Sequence, residues 1–154
     1  MDAKGAAFVL LALAHSAAPV DAACRGWNIP SDTRILADIN ADGMADLVVF
    51  GDRGVWTGLA TGDGNFTAPD LVLDNYGGNQ GWRRDKHVRA LADINGDRKA
   101  DIVGFGNNGV WTSLATGNGR FAPPVLVVEN YGTEHGWTPE KHVRLVADVP
   151  RRFG

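Results

Sequence analysis

The feature that most constrains this chain is a repeat. From Gly26 onward the sequence returns on itself at a fixed interval, with no gap. Gly26-Trp27 comes back as Gly81-Trp82 and Gly136-Trp137, Trp56 as Trp111, Phe66 as Phe121, and Asn75-Tyr76-Gly77 as Asn130-Tyr131-Gly132. Aligned without gaps, 26–80 and 81–135 agree at 30 of 55 positions. Within each unit the apolar runs are short and rich in β-branched residues: Ile35–Ala37, Leu47–Phe50, Val55–Leu59 and Leu71–Leu73. Gly, Asp and Asn separate them, as in a small antiparallel meander. No stretch after the amino terminus carries a helical period. Four short strands per repeat, at a period near 50, are the unit of a β-propeller blade. A solenoid coil is usually shorter, and a sandwich seldom repeats its sequence. The expected fold class is therefore all-β, with blades of four antiparallel strands.

The organisation follows from the repeat. Residues 1–22 read as a secretory leader: Gly5–Ala14 is an uncharged run of ten, and Val20-Asp21-Ala22 offers small residues for cleavage. The run is shorter than the roughly 20 apolar residues of a membrane span. A secreted, extracellular protein with no membrane span is expected. Residues 23–154 then form a partial propeller, with repeats 26–80 and 81–135 and a shortened repeat 136–154. Propellers close with about four to eight blades. The chain is thus expected to be a truncated piece of a longer protein, or a subunit that completes a ring by self-association. With 15 Lys+Arg against 18 Asp+Glu, its net charge of −3 argues against a nucleic-acid partner. The single Cys24 excludes an intrachain disulfide and a Cys-built zinc site.

Each repeat carries one acidic loop. Asp38, Asn40, Asp42 and Asp46 recur as Asp93, Asn95, Asp97 and Asp101. Side-chain oxygens at the first, third, fifth and ninth positions of a tight loop suit Ca²⁺, and the backbone carbonyls of Met44 and Lys99 are expected to add to the shell. An EF-hand is rejected, because its bidentate Glu at the twelfth position is absent. The second loop is expected to bind more weakly. It has Arg98 where the first has Gly43, which costs roughly 1 kcal/mol for a left-handed backbone and adds a positive charge.

The segments ADINADGMADLVVFG and ADINGDRKADIVGFG, followed by GDGNFTAP and GNGRFAPP, resemble the FG-GAP/VCBS repeats of integrin-α-type β-propellers. DNYGGNQGWRRDKHVR and ENYGTEHGWTPEKHVR, together with GVWTSLATG, are similar to the repeats of fungal propeller lectins of the Psathyrella velutina type. The likeness spans residues 26–148. It implies a ring of about seven blades that binds Ca²⁺ and recognises N-acetylglucosamine-type or sialylated glycans between neighbouring blades. The expected partners are glycans or glycoproteins.

The residues that would meet a sugar are aromatic faces with polar groups beside them. Candidates in the first set are Trp56, Asn75, Tyr76, Trp82, His87 and Arg89. Those in the second are Trp111, Asn130, Tyr131, Trp137, His142 and Arg144. Asn75-Tyr76 closes one repeat and Trp82, His87 and Arg89 open the next, so they meet at a blade junction. Two roles are open to these aromatics, packing blade on blade or stacking on a ligand. His87 and Arg89 are equally open to bonding the next acidic loop. No enzyme is expected: Ser113 lacks a Gly-x-Ser-x-Gly elbow, no phosphate loop is present, and the carboxylates are accounted for by the acidic loops. Two other readings compete with the lectin one. The first is an integrin-like adhesion or scaffold propeller that binds protein and uses Ca²⁺ only for rigidity. The second is the propeller part of a larger secreted enzyme.

Overall fold

The computed structural model describes residues 32–147. The leader, Cys24, the first Gly-Trp pair and the end of the third repeat from 148 lie outside the described residues. Strands β1 (Thr33–Ala37), β2 (Asp46–Gly51), β3 (Gly54–Gly58) and β4 (Asp70–Leu73) form one antiparallel sheet in sequence order. Strands β5 (Arg89–Ala92), β6 (Asp101–Phe105), β7 (Val110–Ser113) and β8 (Val125–Val128) form a second sheet of the same order. One sheet per repeat and no α-helix among the described residues match the expected class: these are incomplete propeller blades.

The strands stand where the sequence places its β-branched runs, and Gly51-Asp52-Arg53-Gly54 makes the tight β2–β3 connection. Strict alternation fails at one place in each blade. The register of β3 against β4 shifts between Val55 and Trp56, and that of β7 against β8 between Val110 and Trp111. A bulge of this kind re-aims the side chain that follows it, so simple pleat counting does not fix the face of either tryptophan.

The core lies between the sheets as well as within them. Ile39, Val48, Phe50, Val55 and Tyr76 of the first repeat pack with Ile102, Ala115 and Phe121 of the second. Hydrogen bonds cross the same junction. Thr57 Oγ1 donates to the Gly119 carbonyl at 2.8 Å, and the Ala100 N–H donates to the Asp38 carbonyl at 2.8 Å. The covered and uncovered faces of the repeat can be read from matching residues. Ile39 and Tyr76 are fully buried, whereas Ile94 and Tyr131 are exposed by 46% and 44%. Among the described residues no following sheet covers the second pair.

Candidate functional site

The segment joining the blades, Asp74–Val88, is built around Asn75-Tyr76-Gly77. Asn75 Oδ1 accepts the Tyr76 N–H at 2.7 Å, and Tyr76 takes a left-handed backbone with φ of 61°. Asn130 and Tyr131 repeat both features, at 2.7 Å and 65°. This turn sends the tyrosine ring into the junction and starts a short 3-10 turn, Gly78–Gln80. Trp82 then returns over the tyrosine, with ring centroids 4.9 Å apart, and His87 meets Trp82 edge-on at 5.4 Å.

His87 has a fixed tautomer. Its Nδ1 accepts the Arg83 N–H at 3.0 Å, so its Nε2 carries the proton and donates to Asn107 Oδ1 at 2.8 Å. Burial pushes the imidazole pKa down; the bond to Asn107 only partly opposes this, and the charges of Arg89, Lys86 and Arg144 add to the depression. The ring is neutral at neutral pH. Asn107 Oδ1 also accepts the Thr133 hydroxyl at 2.8 Å. These two bonds orient the Asn107 amide and leave its Nδ2 as the donor to spare. Asn108 Oδ1 accepts the Trp111 indole N–H at 3.0 Å, which holds that ring by its edge.

These groups line one concave pocket of about 250 Å³ at the blade junction. Its walls are Trp82 and Trp111; its polar groups come from Asn75, Gln80, His87, Asn107 and Asn108. Of the six candidates in the first set, the structure brings Asn75, Trp82 and His87 together here, and Trp111 of the second set joins them. It places Tyr76 and Arg89 beneath, in the core. Tyr76 Oη meets Ser113 Oγ at 3.0 Å, and burial pushes the phenol up to about 12 despite that bond. Arg89 donates to the Tyr76 carbonyl at 2.8 Å and to Thr33 Oγ1 at 3.3 Å, with its guanidinium over the Phe50 ring. Its pKa is lowered to about 10 by burial, partly offset by Asp32. The side-chain bonds of His87 and Arg89 go to Arg83, Asn107, Tyr76 and Thr33 rather than to the next acidic loop.

Trp56 is 5% exposed and stands in the first blade. The second set forms a partial copy: Tyr131 and Trp137 are 5.0 Å apart, Trp137 and His142 4.5 Å, and Arg144 reaches the Tyr131 carbonyl at 3.4 Å. Asn107 and Asn108 are the functional candidates that sequence reasoning missed. The signal was present, because they replace the charged turn Asp52-Arg53 of the first repeat with two neutral amides.

The acidic loops close on their own backbones. Asp38 accepts the N–H groups of Asn40, Ala41 and Gly43; Asn40 accepts that of Asp42, and Asp42 that of Met44. Asp46 turns inward, its two oxygens taking the Ile39 and Ala60 N–H groups at 3.2 and 2.8 Å. Asp101 does the same with Ile94 and Ala115, at 3.2 and 2.7 Å. Burial raises the pKa of both. Among the described residues no three His, Cys, Asp or Glu side chains stand ready around one metal position. The donor chemistry, oxygen throughout, fits a hard cation through the outer residues Asp38, Asn40 and Asp42.

The loops differ less in backbone and more in charge than their sequences imply. Gly43 and Arg98 are both left-handed, but so are Ala41 and Gly96, so each loop holds one non-glycine residue in that region. In the second loop Lys99 Nζ lies 2.7 Å from Asp97 and holds that carboxyl below its usual range. Met44 supplies no such charge to the first.

Comparison with known proteins agrees with the fold. The two four-stranded blades and their acidic loops resemble FG-GAP-like repeats: residues 38–103 match the family described as FG-GAP-like repeat. The chain is also similar to a lectin from Agrocybe aegerita, whose structure is described as the basis of specific recognition of non-reducing terminal N-acetylglucosamine. The TM-score is 0.76 and the identity 41%, over 79% of this chain and 30% of that one. This chain thus spans under a third of that lectin's length. No curated protein sequence matches it.

Proposed function

We propose that this chain is part of a secreted propeller lectin that binds a non-reducing terminal N-acetylglucosamine-type sugar, non-covalently, in the junction pocket. The observation that carries the reading is the pairing of Trp82 and Trp111 around a cleft whose other side chains are amides and one neutral imidazole. Aromatic faces take the C–H surface of a pyranose, and amides take its hydroxyl and acetamido groups. The lining holds no cation to pair with a sialic acid carboxylate, which favours the neutral of the two glycan classes. The likeness to a lectin supports glycan binding over catalysis. Within this reading Ca²⁺ is a structural ion of the first acidic loop, and the leader sequence supports secretion. Isothermal titration with a chitin disaccharide, alongside a glycan array with Ca²⁺ present, tests the proposal. Binding that disappears in Trp82→Ala and Trp111→Ala, with folding retained, is the expected result. A folded parent that binds no sugar on the array overturns it.

A further inference from the structure

We infer that ligand competence is set blade by blade rather than once per repeat, and that Gly104 is the positioning residue that confers it on the second blade. The inference rests on the glycan reading of the junction pocket and says which blade carries such a pocket.

Trp82 can lie along β6 because that strand has no side chain beneath the ring. A Cβ built on Gly104 would stand 2.7 Å from Trp82 Cη2 and 2.8 Å from Tyr76 Cε1. Both separations are closer than real Cβ atoms approach, and the obstacles are two packed rings rather than a flexible chain end. Gly106 extends the bare floor: its Cβ would lie 3.3 Å from Trp82 Cη2 and 3.2 Å from Trp111 Cδ1. The two glycines therefore let Trp82 and Trp111 approach each other as opposite walls.

The first blade has Val49 at the position of Gly104, and Val49 is buried. A tryptophan cannot take the Trp82 pose over that strand. The turn beside it also differs. Asn108 holds Trp111 by its indole N–H and leaves the ring half-buried, whereas the Arg53 guanidinium sits over the Trp56 ring, 6.0 Å from its centroid. A cation on the ring takes the surface that a sugar would use. Floor, amide pair and platform thus change together between two repeats that otherwise agree closely. Trp56 is a packing residue, and Trp111 is a ligand residue.

The test is Gly104→Val, which imports the side chain of position 49, with Gly104→Ala as the milder change should the valine variant not fold. Chitin disaccharide binding is measured by titration calorimetry, and Tm is measured without sugar. The expected result is a folded variant that binds roughly tenfold or more weakly, while Trp56→Phe stays within about twofold of the parent. In a Trp82→Ala background, Gly104→Val should lower Tm much less than it does in the parent, because the main clash is gone. A folded Gly104→Val that binds like the parent, an equal loss of Tm in both backgrounds, or a Trp56→Phe as weak as Gly104→Val overturns the inference. If the parent binds no sugar, the glycan reading falls, and the Tm cycle decides the placement of Trp82 independently.

Discussion

Tyr76 Oη and Ser113 Oγ lie 3.0 Å apart, buried between two blades. The same tyrosine gives its carbonyl to Arg89. One residue thus ties the connecting segment to β7 through its side chain and to β5 through its backbone. Tyr76→Phe keeps the ring and strands the serine hydroxyl. It should cost about 1–2 kcal/mol in urea unfolding. Tyr131→Phe, at the exposed copy, should change stability by less than about 0.5 kcal/mol. Equal losses from the two variants would contradict a bond specific to the covered junction.

Most of the fold was legible because the repeat states it twice. Strand positions, turn residues and the one-sheet-per-unit plan follow from short apolar runs punctuated by Gly, Asp and Asn. The pocket was half legible. Trp82, His87 and Asn75 were found from their place at the repeat boundary, and the structure joins them. Arg89 and Tyr76 were not separable from them by sequence, since only the covering blade turns the same Asn-Tyr-Gly motif from surface to core. Trp56 and Trp111 stand in the same Gly-Val-Trp-Thr tetrapeptide, and what distinguishes them is the turn residue before it, Arg53 or Asn108. The leader, secretion and the third repeat beyond residue 147 are readings of sequence alone.

Asn107 orients the pocket's polar edge. Asn107→Asp keeps an oxygen for His87 and Thr133 but removes the Nδ2 donor and adds a negative charge. The fold should persist by circular dichroism, and sugar affinity should fall roughly tenfold if the amide serves the ligand. The carboxylate should also draw the His87 pKa upward, readable by NMR titration. Unchanged affinity with a raised His87 pKa would place the Asn107 amide outside the binding contact.

Asp46 accepts one N–H on each oxygen. Asn can accept only one of these and turns an NH₂ toward the other. Asp46→Asn should therefore lose about 1–3 kcal/mol in denaturant unfolding. Asp101→Asn should behave alike, because Asp101 makes the matching pair of bonds. A variant as stable as the parent would mean that relief from burying a charge offsets the lost bond.

The first acidic loop carries three carboxylates and no internal cation, whereas Lys99 neutralises Asp97 in the second. Millimolar Ca²⁺ should raise Tm by linkage, and Asp42→Asn should remove most of that rise. Asp97→Asn should leave it nearly intact. A Tm independent of Ca²⁺ in scanning calorimetry would leave both loops as turns held by hydrogen bonds alone.

His87 should make stability fall with acid in a defined window. Its folded-state pKa lies below the free imidazole value of 6.5, chiefly through burial. Below 6.5 the unfolded chain takes up a proton that the folded chain refuses, so the unfolded state gains. The stabilisation is complete above 6.5 and is lost as pH falls from there toward the folded pKa. The structural reason is local. A proton on Nδ1 would face the Arg83 N–H, donor against donor, and Lys86, Arg89 and Arg144 oppose the added charge. Asp46 and Asp101 act with the opposite sign, since burial raises both carboxyls above 3.8 and makes the folded state bind protons first as pH falls. His87→Phe keeps an aromatic ring beside Trp82 and removes the titration. Between pH 7.5 and about 5.5 the parent's Tm should decline more steeply than that of His87→Phe, the difference corresponding to at most one proton. Parallel curves for the two proteins would show that His87 takes its proton in the folded state as readily as in the unfolded chain.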